Sequence, residues 1–170
     1  MRVRDHVAIS TAGAAALSPL VGRRAMSAWA ASILIDADHY MWFCVSQRSL
    51  NPVAAVRYFN DAGAPAHRGT RMLHSPLALL AVLLLSTRVR AAAPVAAGMA
   101  AHVLLDVRHE ARVAGARVQA LRRDRNTCQA CGASGEHVVA HLARQPKLLP
   151  SYRAGNFRTL CDDCHRRAHV

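Results

Sequence analysis

Residues 128–142 and 161–169, CQACGASGEHVVAHL and CDDCHRRAH, contain the pattern that decides the fold of the carboxy-terminal part of the chain. They include two Cys-x-x-Cys pairs separated by 29 residues. The four cysteines are Cys128, Cys131, Cys161 and Cys164. Four thiolates at this spacing are typical of a closed tetrahedral Zn²⁺ site in a reducing compartment, and they are not a disulfide layout. The sequence therefore predicts a structural zinc ion that holds the two segments together.

The segment between the cysteine pairs predicts a β-hairpin, and the residues after it predict a short helix. Residues 136–142 alternate so that His137, Val139 and His141 share one face of a strand. We expect a helix to begin near Cys161, because two acidic residues in its first turn suit the positive end of the helix dipole. The sequence therefore predicts a hairpin followed by a helix, with a zinc ion that holds them together.

Histidines on these elements form a candidate site for a second cation. His165 and His169 are four residues apart and therefore share one helix face, where two imidazoles can bind one divalent ion. His141, on the facing strand, can approach the same position. An unprotonated imidazole beside a metal ion is what phosphodiester hydrolysis requires. The imidazole takes a proton from water, while the cation stabilises the charge that develops on the phosphate.

The segments RDRNTCQACG, VVAHLA and GNFRTLCDDCHRRAH strongly resemble the four-cysteine branch of the HNH endonucleases, over about residues 119–170. The resemblance implies a ββα-metal fold and cleavage of DNA with Mg²⁺ or a transition metal. It implies that His141 is the general base and that Asn156 holds the loop and so orients this base. It also implies that His165 is a metal ligand, with His169 as a second ligand.

One position departs from the family pattern. Many relatives have an acidic or histidine ligand immediately before the general base, where this chain has Ala140. A methyl group cannot bind a metal, so three alternatives stay open. His165 and His169 suffice together with water, or His137 or a residue of the first region substitutes, or the site is weakened or inactive. A noncatalytic, zinc-containing nucleic-acid-binding module is the remaining alternative for this part of the chain.

Basic residues dominate the charge of the protein. Lysine and arginine number 22 against 10 acidic residues, giving a formal net charge of +12, and Lys147 is the one lysine. The guanidinium fork suits phosphate, although an arginine bias also accompanies GC-rich genomes. The basic residues around the predicted site are Arg122, Arg123, Arg125, Arg144, Lys147, Arg153, Arg158, Arg166 and Arg167. Phosphate contacts add affinity without selecting sequence, so we expect salt-sensitive, weakly specific binding to duplex DNA.

The first part of the chain consists of apolar helical segments interrupted by isolated His and Asp. Helices are expected over about residues 7–17, 25–35, 52–59 and 94–108. Ser75 followed by Pro76 favours a further helix start, because serine caps the helix and proline lacks an N–H that would otherwise be unpaired. We therefore expect a mainly α protein. An N-terminal helical bundle, residues 1–113, precedes the zinc-stabilised ββα-metal module, residues 114–170.

Polar residues on the apolar helices form a second candidate metal site. They are His6, then Asp36 and Asp38 with His39, then His67 and His74, then His102 and Asp106. His102 and Asp106 share one face of a helix otherwise lined by Ala, Val and Leu, and burying them is costly unless they bind each other or a metal. Histidine and carboxylate ligands from several helices can build a hydrolytic metal centre. The alternative, that these are ordinary core or surface residues, stays open.

The strings DHVAIS, LIDADHYMW, HRGTRMLHSP and GMAAHVLLD resemble a family of small helical, often membrane-associated, predicted metal-dependent hydrolases, over about residues 5–107. The resemblance implies that one or two metal ions are surrounded by His6, Asp38, His67, His74, His102 and Asp106. Asp36 is the alternative to Asp38, because Ile35 stands where the family's aspartate motif begins with proline. The sequence does not reveal the substrate of such a centre.

Together these patterns predict a metal-dependent DNA endonuclease whose catalytic site is the HNH module. The competing hypothesis assigns catalysis to the first region, acting on a phosphate ester or a lipid. We expect a cytoplasmic protein. No apolar stretch of the sequence reaches the length of a membrane span, but residues 76–85 and 91–105 leave association with the inner membrane open.

Overall fold

A computed structural model of the protein describes residues 3–60, 71–135, 137–144 and 151–169. The chain divides into two compact units, Met1–Asp106 (unit 1) and Val107–Val170 (unit 2). The protein is mostly helical, with a small two-stranded antiparallel sheet near the carboxy terminus. The sequence analysis expected the boundary seven positions later, between residues 113 and 114.

Unit 1 is built from helices. They are α1 (Val3–Val21), α2 (Arg24–Leu34), α3 (Ala37–Ser46), α4 (Pro52–Asn60), α5 (Pro76–Arg88) and the first part of α6 (Ala92–Arg123). The predicted start of α5 is present, because the Ser75 hydroxyl accepts a hydrogen bond from the Ala78 N–H at 3.1 Å. Helix α1 ends where Gly22 adopts a φ of 60°, a conformation that favours glycine.

Two elements differ from the sequence prediction. Helix α3 was not expected, because residues 37–46 mix aromatic and β-branched side chains without a clear helical period. Helix α6 is 32 residues long and continues past the expected end at Arg108. Its second half is rich in alanine and arginine, both strong helix formers, so helix propensity extends it beyond the boundary that the sequence analysis placed between residues 113 and 114.

Close packing of α2 on α6 depends on a glycine. A Cβ atom at Gly98 would overlap the carbonyl oxygen of Ala28, so a larger residue would force the two helices apart. Ile35, Phe43 and Met99 are among the buried apolar residues of this unit. This packing fixes the relative positions of the polar residues that α2 and α6 carry.

Unit 2 contains the sheet and the last helix. Its elements are β1 (Val138–Leu142), a short 3₁₀ turn (Ala154–Asn156), β2 (Phe157–Cys161) and α7 (Asp162–Arg167). The strands pair antiparallel, with His141 opposite Arg158. Ala140 and Leu142 pack against a core formed by Ala116, Ala120 and Phe157. Because side chains alternate along a strand, His141 lies on the opposite face of β1 from this core.

Helix α5 has an unusually exposed apolar surface. None of its residues is buried, and Leu77, Leu80 and Leu84 are each at least half exposed. Even so, across the part of the chain that the structure describes, no helix has both the length and the apolar character needed to cross a membrane.

Candidate metal centres

The four cysteines of unit 2 form one group. The Sγ atoms of Cys128, Cys131, Cys161 and Cys164 all lie within 4.8 Å of one another. The first pair sits in a tight turn in which the Gly132 N–H donates to the Cys128 carbonyl oxygen at 2.9 Å. Gly132 has a φ of 77°, which a side chain would oppose. The group could hold a metal ion such as zinc, as the sequence predicts.

The electrostatics of these thiols favour a cation. Backbone N–H groups, first that of Cys161, lower the pKa of the Cys128 thiol to about 6. Burial and the neighbouring sulfur atoms raise the pKa of Cys164 to about 12. Four thiolates this close together would repel one another, so the group can ionise fully only around a positive ion.

Three imidazoles form a second group in unit 2. Side-chain nitrogens of His141, His165 and His169 lie within 4.8 Å of one another, and the Nε2 atoms of His165 and His169 are 3.2 Å apart. The ring centroid of His141 is 5.2 Å from that of His165 and 4.9 Å from that of His169. His137, which the sequence analysis considered as a substitute ligand, is not part of this group.

The positions of the three rings follow from the elements that carry them. His141 is on β1, and His165 is on α7, the helix that follows the paired strand β2. His169 lies just past the end of α7 instead of within it, but its N–H still donates to the Arg166 carbonyl oxygen at 3.2 Å. The helical spacing therefore continues far enough to bring His169 over His165.

Asn156 braces the loop that joins the two strands. Its side-chain Nδ2 donates to the Ser151 carbonyl oxygen at 2.6 Å. Its own carbonyl oxygen accepts hydrogen bonds from the N–H groups of Ala143 and Arg144 at 2.9 and 3.2 Å. These contacts fix the chain immediately after the strand that carries His141.

His141 favours the neutral state. Partial burial and the charges of His165 and His169 lower its pKa. A neutral imidazole retains a lone pair that can accept a proton. Ala140 packs toward the Ala116–Phe157 core and not toward the histidines, so its position supplies no ligand to this group.

The basic residues of unit 2 fall into two classes. Arg122, Arg125, Arg144 and Arg153 are exposed. Arg123, Arg158, Arg166 and Arg167 are also exposed, but their guanidinium groups make contacts within unit 2. The Arg123 guanidinium, for example, donates to Asp124 at 2.7 Å and to the Ala154 carbonyl oxygen at 2.9 Å. Lys147 lies outside the described residues.

In unit 1, polar residues from separate helices meet around His74 and His102. The Nε2 atoms of these two histidines are 3.2 Å apart. His102 is fully buried on α6, whereas His74 lies immediately before Ser75, the cap of α5. Two imidazole nitrogens at this distance repel each other unless a proton or a metal cation lies between them.

Hydrogen bonds determine which nitrogens of these rings face each other. His102 Nδ1 is 2.6 Å from the Ser32 carbonyl oxygen, which can only accept, so His102 Nδ1 carries a proton. His74 Nδ1 is 3.2 Å from a carboxylate oxygen of Asp38 and donates in the same way. Each ring therefore directs its Nε2 atom toward the other ring. A neutral imidazole that is protonated at Nδ1 is the tautomer that binds a metal through Nε2.

Carboxylates complete the group. Asp36 Oδ1 is 3.3 Å from His74 Nε2 and 3.5 Å from His102 Nε2. Asp106 Oδ2 is 3.6 Å from His102 Nε2 and 4.0 Å from His74 Nε2. Ligand atoms at about 2.0–2.1 Å from Zn²⁺ in a tetrahedron are about 3.4 Å apart. The triangle formed by Asp36, His74 and His102 therefore has the dimensions of one face of a metal-coordination tetrahedron.

The two aspartates of the LIDADHYMW segment have different positions. Asp36 faces the Nε2 atoms, whereas Asp38 lies behind His74 and is buried. Asp38 accepts hydrogen bonds from the Leu73 N–H at 2.9 Å and from His39 Nδ1 at 2.6 Å. Asp36 therefore lies beside the Nε2 atoms of His74 and His102, whereas Asp38, which the family resemblance implied as a ligand, contacts the Nδ1 atoms of His74 and His39.

The charges of the group attract a cation. Burial opposes the charged form of His74, but hydrogen bonds to Asp36 and Asp38 raise its pKa to about 9, so a metal ion at His74 Nε2 would have to displace a proton that the same carboxylates attract. Burial also opposes ionisation of Asp38 and Asp106, but the surrounding histidines hold the pKa of both carboxyls below the usual range. Ionised carboxylates beside imidazole nitrogens are a ligand set that suits a divalent metal.

His6 belongs to the same region of unit 1. Its ring stacks on His102 with centroids 4.1 Å apart, and its Nε2 is 3.0 Å from Asp106 Oδ1. His6, His102 and Asp106 offer ligand atoms within 4.8 Å of one another. Of the residues that the sequence analysis proposed here, His67 lies outside the described residues.

Two participants lie outside the ligand set that the family resemblance implies. His39 was part of the sequence pattern, beside Asp38, but not of that ligand set, and its ring nitrogen belongs to a group with Asp38 and His74. Ser32 contributes through its carbonyl oxygen, which no side-chain pattern can indicate. The adjacency of His39 to an acidic pair was the signal that could have included it.

In comparisons with known proteins, no family model matches the chain, and no curated protein or solved structure shows significant similarity to it.

Proposed function

We propose that the chain is a metal-dependent endonuclease that hydrolyses DNA phosphodiester bonds at the His141 group of unit 2. The observation that carries the proposal is the convergence of His141, His165 and His169 where a strand meets the following helix. The four-cysteine group shares those elements, since β1 pairs with the strand that ends at Cys161. A hairpin and helix held by a metal and presenting three imidazoles is consistent with the ββα-metal fold that the sequence resemblance implies.

Each residue has a distinct part in the proposed reaction. His141, whose pKa is lowered, accepts a proton from the attacking water. His165 and His169 would hold a divalent ion, which would supply charge stabilisation at the phosphate; two imidazoles suit a transition metal better than Mg²⁺. Asn156 fixes the loop after β1 and thereby orients His141. Because Ala140 supplies no ligand, the ion would rely on two protein ligands and water.

Exposed cations of unit 2 support a polyanionic substrate. Arg122 and Arg144 are exposed, and no ion pair with a described residue occupies them. Arg122 lies near the end of α6 and Arg144 follows β1 by two residues. Guanidinium groups that have no internal partner are free to contact phosphate, and such contacts give salt-dependent binding of duplex DNA.

The experiment is plasmid nicking by the full chain with Mg²⁺ or Mn²⁺. Changing His141 to Ala should lower the nicking rate about 100-fold or more, the usual loss when a general base is removed. The matched control is His137→Ala, which removes an exposed histidine four residues earlier and outside the group. The control should cut at the rate of the unchanged protein.

Measuring the zinc content of both variants distinguishes loss of the general base from a general disturbance of unit 2. Both variants should retain the metal held by the cysteines, because neither changes a thiol. If His141→Ala still nicks plasmid while retaining its zinc, His141 is not the base. If both variants lose activity equally, the loss reflects general disturbance of unit 2.

A second candidate function is a metal-dependent hydrolase centred on unit 1. The specific observation that favours it is the 3.2 Å approach of His74 Nε2 and His102 Nε2, with both Nδ1 atoms committed to acceptors. Asp36 and Asp106 supply adjacent carboxylate oxygens. Zn²⁺ in such a centre activates bound water, which suits hydrolysis of a phosphate ester or another ester.

Metal analysis separates the two candidates. The purified chain should contain more metal than the cysteine group alone accounts for, and His102→Ala should lose that excess. An unchanged metal content in His102→Ala would remove the centre from unit 1. Hydrolysis of a chromogenic phosphate ester that disappears in His102→Ala but not in His141→Ala would assign catalysis to unit 1.

A further inference from the structure

Unit 1 contains an apolar cavity of about 680 Å³ between α1, α2, the end of α5 and α6. Its wall is formed largely by small and aliphatic residues, including Gly13, Ala28 and Leu105, with Trp29 on one side. Cavities of this volume accommodate small-molecule ligands. The cavity is distinct from the metal-ligand group, because none of the proposed ligand atoms lines it.

Hydrogen bonds identify the end of the cavity that lies nearest to the metal-ligand group. Ser10 and Ser32 both line it, and their hydroxyl groups are 2.8 Å apart. The Ser32 carbonyl oxygen also accepts the hydrogen bond from His102. The two serines therefore lie at the end of the cavity nearest to the metal-ligand group.

Charged groups lie at the opposite end. Arg24 and Arg90 are the two charged residues of the cavity wall. Arg24 precedes Ser32 by eight residues along α2, which corresponds to about 12 Å. Both arginines are exposed, and neither forms an ion pair with a described residue. The cavity thus has apolar walls and two serine hydroxyl groups at the end nearest to the metal-ligand group. At its other end are two arginines that form no ion pair with a described residue.

We propose that this cavity binds a long-chain carboxylate, with the hydrocarbon chain along α1, α2 and α6 and the carboxylate at Arg24 and Arg90. A guanidinium fork matches a carboxylate, and burying a hydrocarbon chain in an apolar channel is favourable. The volume suits one hydrocarbon chain and not the two chains of a diacyl lipid. The binding site does not depend on either proposed hydrolytic activity.

Tryptophan fluorescence can report on this cavity directly. The protein has two tryptophans, and Trp42 does not line the cavity, so Trp42→Phe leaves Trp29 as the reporter. We would titrate the full chain carrying this change with dibromostearate, a bromine-labelled fatty acid that quenches nearby indoles, below its aggregation concentration. Saturable quenching with one ligand per chain is expected.

Two further variants test the site itself. Gly13→Leu should abolish the quenching, because a Cβ at Gly13 meets no atom within 4 Å and the added side chain can enter the cavity without distorting the helix. Gly115→Leu is the matched control, since its position on α6 is equally open but outside the cavity. Changing Arg24 and Arg90 together to Gln should weaken binding by about tenfold or more.

The results that would overturn the proposal are equally defined. They are the absence of saturable quenching, binding that Gly13→Leu leaves intact, and equal affinity for the fatty acid and its uncharged methyl ester. Binding only to anionic phospholipid vesicles, and not to the monomeric fatty acid, would also overturn it in favour of a lipid surface.

Discussion

The two histidine groups of this protein differ in how their imidazoles are supported. In unit 1, His74 and His102 each commit Nδ1 to an acceptor, and Asp36 and Asp106 bring carboxylate oxygens close to their Nε2 atoms. In unit 2, the three imidazoles contact one another, and no carboxylate among the residues that the structure describes belongs to the group that they form.

This difference predicts different metal affinities. A ligand whose second nitrogen is fixed by an acceptor binds metal more tightly and with a defined orientation. We therefore expect unit 1 to retain its ion through purification. We expect the His141 group to bind weakly and to exchange its ion, as suits a site that also contacts the phosphate of a substrate.

The largest expected effect is the loss of a cysteine ligand. Cys128→Ser should release the zinc and unfold the hairpin of unit 2, because structural zinc contributes about 10 kcal/mol or more to folding in small zinc modules. Zinc content and the dispersion of unit 2 amide signals in NMR spectra measure this change. Unit 1 should retain its metal, and Cys44→Ser is the control. A Cys128→Ser variant with ordered hairpin signals and full zinc content would refute the structural role.

The second-largest expected effect is that of removing the buried imidazole of His102 in unit 1. His102→Ala should lower the free energy of unfolding by about 3 kcal/mol or more, because it leaves a buried cavity, removes the donor to the Ser32 carbonyl oxygen and takes one imidazole partner from Asp36 and from Asp106. Thermal or denaturant unfolding of the metal-free protein measures the effect. Leu104→Ala, an exposed change on the same helix, should cost much less. Equal costs for both variants would contradict the partnership of His102 with these carboxylates.

The distinction between Asp36 and Asp38 predicts a smaller, graded effect. Asp36→Asn should weaken metal binding in unit 1 more than Asp38→Asn does, because Asp36 lies beside the two Nε2 atoms that would hold the ion, whereas Asp38 contacts His74 Nδ1. Loss of an orienting carboxylate typically costs about 10–100-fold in metal affinity. Competition with a chromogenic chelator measures both. The reverse order would assign the ligand position to Asp38.

The smallest expected effect concerns DNA contacts. Arg122→Gln and Arg144→Gln should each reduce the slope of log K against log salt by about 0.9 if each arginine contacts one phosphate of duplex DNA. Arg123→Gln is the contrasting variant, because its guanidinium already binds Asp124 and two carbonyl oxygens, and it should mainly lower stability. Unchanged salt slopes for Arg122 and Arg144 would place the DNA elsewhere.

Much of the architecture followed from local sequence rules. The four cysteines were predicted as one group from their spacing, and the structure brings them together. The start of α5 followed from the Ser75–Pro76 pair, whose capping hydrogen bond is present. Rules of this kind succeed because each depends on residues that are close in sequence or on a ligand set with fixed geometry.

Other features depend on tertiary contacts that no local pattern contains. The sequence left Asp36 and Asp38 as alternatives, and only the packing of α3 beside the segment before α5 places Asp38 behind His74. The tautomer of His102 depends on a carbonyl oxygen 70 residues away in sequence. Helix α3 was missed because aromatic packing against α4 stabilises residues whose own periodicity is weak.

The most direct test of the account is a Mn²⁺ titration of the zinc-loaded full chain, followed by NMR of the histidine side chains. Paramagnetic Mn²⁺ broadens the signals of nuclei that lie near it. The account predicts that the ring signals of His141, His165 and His169 broaden together at low Mn²⁺ concentration, while that of His137 stays sharp. If the three signals remain sharp at saturating Mn²⁺, the imidazole group does not bind a catalytic cation, and the endonuclease proposal fails.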